Sequence, residues 1–292
     1  MIETPFAITP AYDVLLRGSD QMPIGLHQLQ VATAEQLCRP HYARGSLKAV
    51  QAKLRVLEDH GFVRHDAIPT KFTRSPYYYA LDKLGVQYLQ RAGMDINESF
   101  RSEKEVDKHS LFMEHTLELN DIIISAALLK KANSNYWLDS FIHERVLKRS
   151  PYKAIWQGGS FSLIPDTFLD FRVRLPDGLR RVPVVVEHDR GTEEQHYFRR
   201  RIRAYIVFLQ NEGFKKMFQT KSITIAFTTS AGVSRLGRMR EWTWQELQAS
   251  GDNLGVVFYF ADLERPIDPQ KLWLSPSWYR LEDNKPVAIL GG

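Results

Sequence analysis

The stretch Val182–Thr192 reads VPVVVEHDRGT. Four valines around one proline make an apolar run with no polar alternation. A strand of that kind is buried on both faces, which places it inside a sheet covered by helices. The run stops at Glu187, and Glu187, His188, Asp189 and Arg190 follow one another before Gly191. Side chains alternate along a strand, so Glu187 and Asp189 project to one face and His188 to the other. Buried carboxylates at the end of a core strand are costly without a metal or a cationic partner, because burial and mutual repulsion both disfavour their charge.

The residues upstream supply a third acid. Thr167 to Leu175 alternates as a strand, and Pro176-Asp177-Gly178 makes the hairpin turn into the valine strand. The register of that hairpin brings Asp166 beside Glu187 and Asp189. Three converging carboxylates form an oxygen-rich site suited to Mg²⁺ or Mn²⁺, and such a metal activates water and stabilises a phosphoryl transition state. Around this hairpin a long amphipathic helix is expected from Ser110 to Lys131, a strand from Trp137 to Lys148, a helix over 193–210 and a basic helix over 235–248. The apolar runs SITIAFTT and GVVFYF read as further strands. The order is that of a mixed α/β sheet with helices on both sides. On the 193–210 helix Phe198, Ile202, Tyr205 and Leu209 form the core stripe, with Arg201 on its flank and Arg199, Arg200 and Arg203 outward.

The first ninety residues read differently. Thr9 caps an expected helix to Arg17, Thr33 and Gln36 form a capping pair, and Ser46 to His60 carries Leu47, Val50, Leu54 and Leu57 on one stripe. Gly61 stops that helix. Two short strands, a basic loop and a helix over 82–92 follow. This is the order of a winged helix-turn-helix. Arg44, Ser46, Lys48 and Arg55 lie off the apolar stripe, and the wing loop adds Lys71 and Arg74. Small and basic residues there suit the major groove of double-stranded DNA, with the phosphates carrying salt-sensitive affinity.

Composition sets outer bounds. Lys and Arg total 39 against 34 Asp and Glu, a formal charge of +5, which fits a nucleic-acid partner without demanding one. Cys38 is the only cysteine, so no intrachain disulfide or cysteine zinc site can form. No apolar run has the length of a membrane span, and MIETPFAITP lacks the pattern of a signal peptide. A cytoplasmic protein without membrane contact is expected. There is no P-loop, no Gly-x-Gly-x-x-Gly and no hydrolase elbow.

Pro165-Asp166 followed by Glu187-x-Asp189 resembles the core of PD-(D/E)XK nucleases. More narrowly, the chain resembles the replication-relaxation family of plasmids and integrated mobile elements. The resemblance rests on His115-Thr-Leu-Glu-Leu-Asn120, Pro165-Asp166, Glu187-His-Asp-Arg-Gly-Thr192 and Arg201-Ile-Arg-Ala-Tyr205, and spans roughly residues 8 to 230. Together with the pattern of elements along the chain it gives a winged helix at 1–93, a linker at 94–109, a PD-(D/E)XK-like domain at 110–265 and, beyond the resemblance, a tail at 266–292 with little pattern. It further implies a catalytic set of Asp166, Glu187, Asp189 and Arg201, with the three acids as ligands of Mg²⁺ or Mn²⁺. Asp189 stands where the nuclease pattern has a lysine, and Arg201 stands for the family's helix lysine. An arginine steadies phosphate charge but is a poor proton shuttle.

Three outcomes follow from these residues: a metal-dependent nickase, a degenerate nuclease fold that holds DNA, or a structural junction. In the last, Glu187 pairs with Arg190 or Arg201, and Thr192 caps the next helix with Gln195. The functional expectation is a DNA-binding protein of a bacterial plasmid or mobile element acting in replication or relaxation. It would bind double-stranded DNA, as a homodimer or with other replication or mobilisation proteins. The alternative is a winged-helix transcriptional regulator or assembly factor whose inactive nuclease fold binds a protein.

Overall fold

A computed structural model describes residues 9–10, 21–43, 45–67, 77–94, 96, 110–156 and 158–291. The chain divides into two compact units, Pro10–Ala127 and Leu128–Gly292 together with Met1–Thr9.

In the first unit, α1 (Gln21–Leu29) leads to β2 (Val31–Thr33), α2 (Ala34–His41), α3 (Leu47–Asp59), β3 (Val63–Ala67), β4 (Tyr77–Leu81) and α4 (Lys83–Arg91). The strands form an antiparallel sheet in the order β2-β4-β3, with Val31 opposite Ala80 and Val63 opposite Leu81. The expected capping pair is present: Thr33 Oγ1 accepts from Gln36 N, and Gln36 Oε1 accepts from Thr33 N, both at 3.1 Å. On α3, Val50 and Leu54 are fully buried while Leu47 is 37% exposed, so the apolar stripe is shorter than its spacing predicts. The helix expected over 9–17 lies outside the described residues, apart from Thr9–Pro10, a two-residue strand β1. Two elements carry no sequence expectation. Helix α1 holds Pro23 in its first turn, where a missing N–H is tolerated. Strand β2 is too short for periodicity to register.

Helix α5 (Ser110–Ala132) was expected to open the second domain, yet its first part packs in this unit. Met113 and Leu117 join Val31, Tyr78 and Ala80 in one apolar cluster. Gln36 Nε2 donates to Leu117 O at 2.7 Å. Asn120, from the His115–Asn120 motif, is wholly buried and donates through Nδ2 to Leu29 O and Val31 O, at 3.1 and 2.6 Å. It thereby closes the α1–β2 turn, where Gln30 has φ +66°.

The second unit is built on a mixed sheet. Its main strands are β5 (Tyr136–His143), β8 (Thr167–Leu175), β9 (Gly178–Asp189), β10 (Thr224–Thr229) and β11 (Phe258–Asp262), in that order, with β1 at the β5 edge. Pairing is antiparallel from β5 to β9 and parallel from β9 to β11. The strand expected from Trp137 to Lys148 stops at His143, and a one-turn helix α6 (Glu144–Leu147) follows. The hairpin β6 (Tyr152–Trp156) and β7 (Gly159–Leu163) forms a separate two-stranded sheet. Helices α7 (Gln195–Gln210), α8 (Gly213–Phe218) and α9 (Val233–Ser250) share an apolar cluster with Phe168, Val185, Phe227 and Phe258. The core stripe Phe198, Ile202, Tyr205 and Leu209 is buried as its spacing predicts.

The segment from Pro266, with little pattern in sequence, is packed. Helix α10 (Pro269–Leu274) places Trp273 against Phe171, with ring centroids 4.9 Å apart. Phe168 instead stacks on Phe218. Three residues along a strand reverse the face, so α10 covers the side of the sheet opposite α7 and α8. Trp273 and Trp278 are fully buried.

Candidate functional site: a carboxylate and arginine cluster at the end of β9

The register of β8 and β9 pairs Thr167 with Val186, which sets Asp166 level with Glu187. Asp166 Oδ2 accepts from the His188 backbone N–H at 2.7 Å. Glu187 and Asp189 follow Val185 at alternate positions and so face α7 and α9. His188 faces the other way, its Nδ1 2.9 Å from Thr228 Oγ1. Asp166, Glu187, Asp189 and Arg201 thus come together, and all three acids are buried.

Each acid is engaged. Arg201 Nη1 lies 3.0 Å from Glu187 Oε2, and its Nη2 lies 2.8 Å from Glu193 Oε1. Tyr205, one turn along α7, donates its hydroxyl to Glu187 Oε1. Asp189 Oδ1 accepts from Gly191 N–H, and its Oδ2 takes Arg235 Nε at 3.0 Å. Arg235 also donates to Glu193 O at 2.7 Å. Gly191 has φ +81°, and a Cβ there would stand 2.6 Å from the Ala231 Cβ. That turn needs glycine.

Burial dominates the electrostatics. It pushes the Glu187 carboxyl up to about 8, against the pull of Arg201 and with help from Asp166. Glu193 is raised for the same first reason, with Asp189 and Asp166 adding to the effect. The Tyr205 phenol is held well above its ordinary value by burial and by Glu187. Burial works against the charge of Arg201, yet Glu187 and Glu193 outweigh it and tighten its hold on the proton.

The Mg²⁺ or Mn²⁺ implied by the resemblance finds a poor donor set in this arrangement. Among the described residues, no group of three or more His, Cys, Asp or Glu side chains is placed to hold a metal ion. Guanidinium and phenol N–H and O–H groups point at the oxygens a cation would need.

Sequence reasoning left Glu193, Tyr205 and Arg235 out of the site. Tyr205 carried a signal, since it stands four residues after Arg201 and shares its face. Glu193 and Arg235 carried none, because each is positioned by a turn or by helix packing. The cap expected at Thr192 with Gln195 is replaced by Glu194 as the residue preceding α7.

The expected DNA contacts are distributed unevenly. Lys48 and Arg55 are exposed on α3 beside Gln51 and Ala52, and Ser46 is half-buried before it. Arg44, Lys71 and Arg74 lie outside the described residues. Of the three arginines expected outward on α7, only Arg200 is exposed, its guanidinium 4.9 Å from the Phe161 ring. Arg199 and Arg203 both bind Glu246, a buried acid of α9, at 2.5 and 2.6 Å. Their charge is partly spent on joining α7 to α9.

Fold and site define an α/β protein whose sheet ends in a buried acid and arginine network, preceded in the chain by a helical unit with a small antiparallel sheet. A family model described as replication-relaxation matches residues 25–220, and the chain belongs to that family. The family implies a role in the replication or relaxation of plasmids or mobile elements. Comparison with curated proteins and with solved structures returned no match. Among the described residues, no helix is long and apolar enough to cross a membrane.

Proposed function

We propose that this chain is a DNA-binding protein of plasmid or mobile-element replication, which grips duplex DNA through a winged helix and holds it without metal-dependent scission. The observation that carries the reading is the exposed face of α3, where Lys48, Gln51, Ala52 and Arg55 stand clear of the core. A helix with a small, basic outer face enters a major groove, and its cations release counter-ions from the phosphates. The order α1-β2-α2-α3-β3-β4 supports the winged helix. The second unit supports a retired nuclease fold: its three acids stand at the adjoining ends of paired strands, but the oxygens of Glu187 and Asp189 are occupied by Arg201, Tyr205 and Arg235, and Asp166 accepts from the His188 N–H. Arg200 on the open face of α7 adds a cation for a phosphate.

Anisotropy of a labelled duplex across a salt series, with supercoiled-plasmid nicking in Mg²⁺ and Mn²⁺ on the same samples, tests this. Salt-sensitive binding without nicking is expected. Lys48→Ala/Arg55→Ala should weaken binding and flatten the log–log salt slope by about 0.9 for each phosphate no longer neutralised. An unchanged slope in the double variant would remove α3 from the interface. Nicking that disappears in Glu187→Gln would replace the holding role with a cutting one.

A further inference from the structure

Four carboxylates, from Asp166, Glu187, Asp189 and Glu193, gather at the end of β9 against two guanidinium groups. A hard divalent cation requires several oxygens turned toward one point. Here they are turned toward N–H groups instead. Arg201 spans Glu187 and Glu193 with separate nitrogens. Arg235 takes Asp189 Oδ2 and the Glu193 carbonyl. Glu193 is therefore held twice, by its side chain and by its backbone, while its Oε2 is buried with no hydrogen-bond partner.

We propose that Arg201 is a built-in counter-cation: it holds the place a divalent ion would take among Glu187, Glu193 and Asp166, so the cluster takes no metal while Arg201 is present and accepts one when the guanidinium is removed. A guanidinium is planar and permanently charged, and it satisfies two carboxylates through N–H groups on separate nitrogens. It has no vacant coordination position and cannot lower the pKa of a bound water as a metal does. Loss of its side chain would leave Glu187 and Glu193 facing one another across a vacated space, with Asp166 level with Glu187 on the neighbouring strand. Without the guanidinium between them, these carboxylates can close on a hard cation, an arrangement they do not have while Arg201 is present. The inference stands on the geometry of this cluster and not on DNA binding, and no nucleic acid enters its test.

The test is thermal unfolding of the full chain in Mn²⁺ and in EDTA, for wild type, Arg201→Ala and Arg201→Ala/Glu187→Gln. Wild type should unfold at the same temperature in both. Arg201→Ala should unfold earlier in EDTA and regain about 3 °C or more in Mn²⁺, since a ligand of the native state alone raises Tm. The double variant should lose that gain. A folded Arg201→Ala that ignores Mn²⁺ would overturn the proposal. Electron paramagnetic resonance of Mn²⁺ titrated into the wild-type chain decides the central point even if the variant fails to fold. An undiminished free-ion signal supports it, and one bound Mn²⁺ per chain that is lost in Glu187→Gln overturns it.

Discussion

Arg235 and Asp189, on α9 and β9, form an ion pair that is almost wholly enclosed, with side chains 5% and 2% exposed. The guanidinium reaches Asp189 Oδ2 through Nε at 3.0 Å and also lies over the Trp242 ring at 5.0 Å. This pair fixes α9 to the end of β9, and the same guanidinium holds the Glu193 carbonyl.

Breaking that pair from one side leaves a buried, uncompensated carboxylate. Arg235→Ala should therefore cost about 3–5 kcal/mol of stability, read from the urea midpoint. Arg235→Met with Asp189→Asn should cost markedly less, because neither charge then remains buried. Equal losses in the two variants would show that the packing of α9 matters and the charge does not.

Glu187 predicts a pH dependence. Its folded-state value of about 8 lies above the ordinary 4.5, so the native chain keeps a proton that the unfolded chain releases. Stability from the neutral group is complete below about 4.5 and is lost as pH rises through about 8. The stability of wild type relative to Glu187→Gln should fall across that window, by at most about 1.4 kcal/mol per pH unit. A flat difference curve would mean that Arg201 keeps the carboxylate ionised throughout.

Asn120 ties α5 to the α1–β2 turn. In Asn120→Ala two buried carbonyls, Leu29 O and Val31 O, lose their shared donor. A loss of about 1–3 kcal/mol is expected. Hydrogen exchange should report it first at residues 29–33.

Gly85 sits inside α4, where a Cβ would stand 2.1 Å from Phe62 O. Backbone cannot yield as a side-chain tip can. Gly85→Ala should destabilise the chain by about 1–3 kcal/mol, although alanine is the better helix former. A Tm at or above that of wild type would refute the close approach.

Much of the site was legible one strand at a time. Alternation along VPVVVEHD places Glu187 and Asp189 on one face, and the Pro176-Asp177-Gly178 turn sets Asp166 level with Glu187. Arg201 was anticipated as a partner of Glu187, and that pair is present; what escaped were Tyr205, Glu193 and Arg235. Arg235 was visible only as one member of a basic helix, and its burial depends on how α9 packs. Arg199 and Arg203 read as outward because helical period alone leaves them off the stripe, and Glu246 captures them from another helix. Strand β2 and helix α1 were missed because three residues carry no period and Pro23 with Gly25 argue against a helix.

The sequence by itself determined the local chemistry: a core strand ending in acids, the Thr33 cap of α2, the outer face of α3 with Lys48 and Arg55, and the motifs that mark the family. These depend on neighbours within a few residues, where period, capping and turn propensity act directly. Only the tertiary structure decided what the acids face. Whether a buried carboxylate meets a cation, a phenol or a metal is settled by groups 14 to 46 residues away, as for Glu187 with Arg201 and Asp189 with Arg235. In a medium of low polarity those distant partners set the charge of the site.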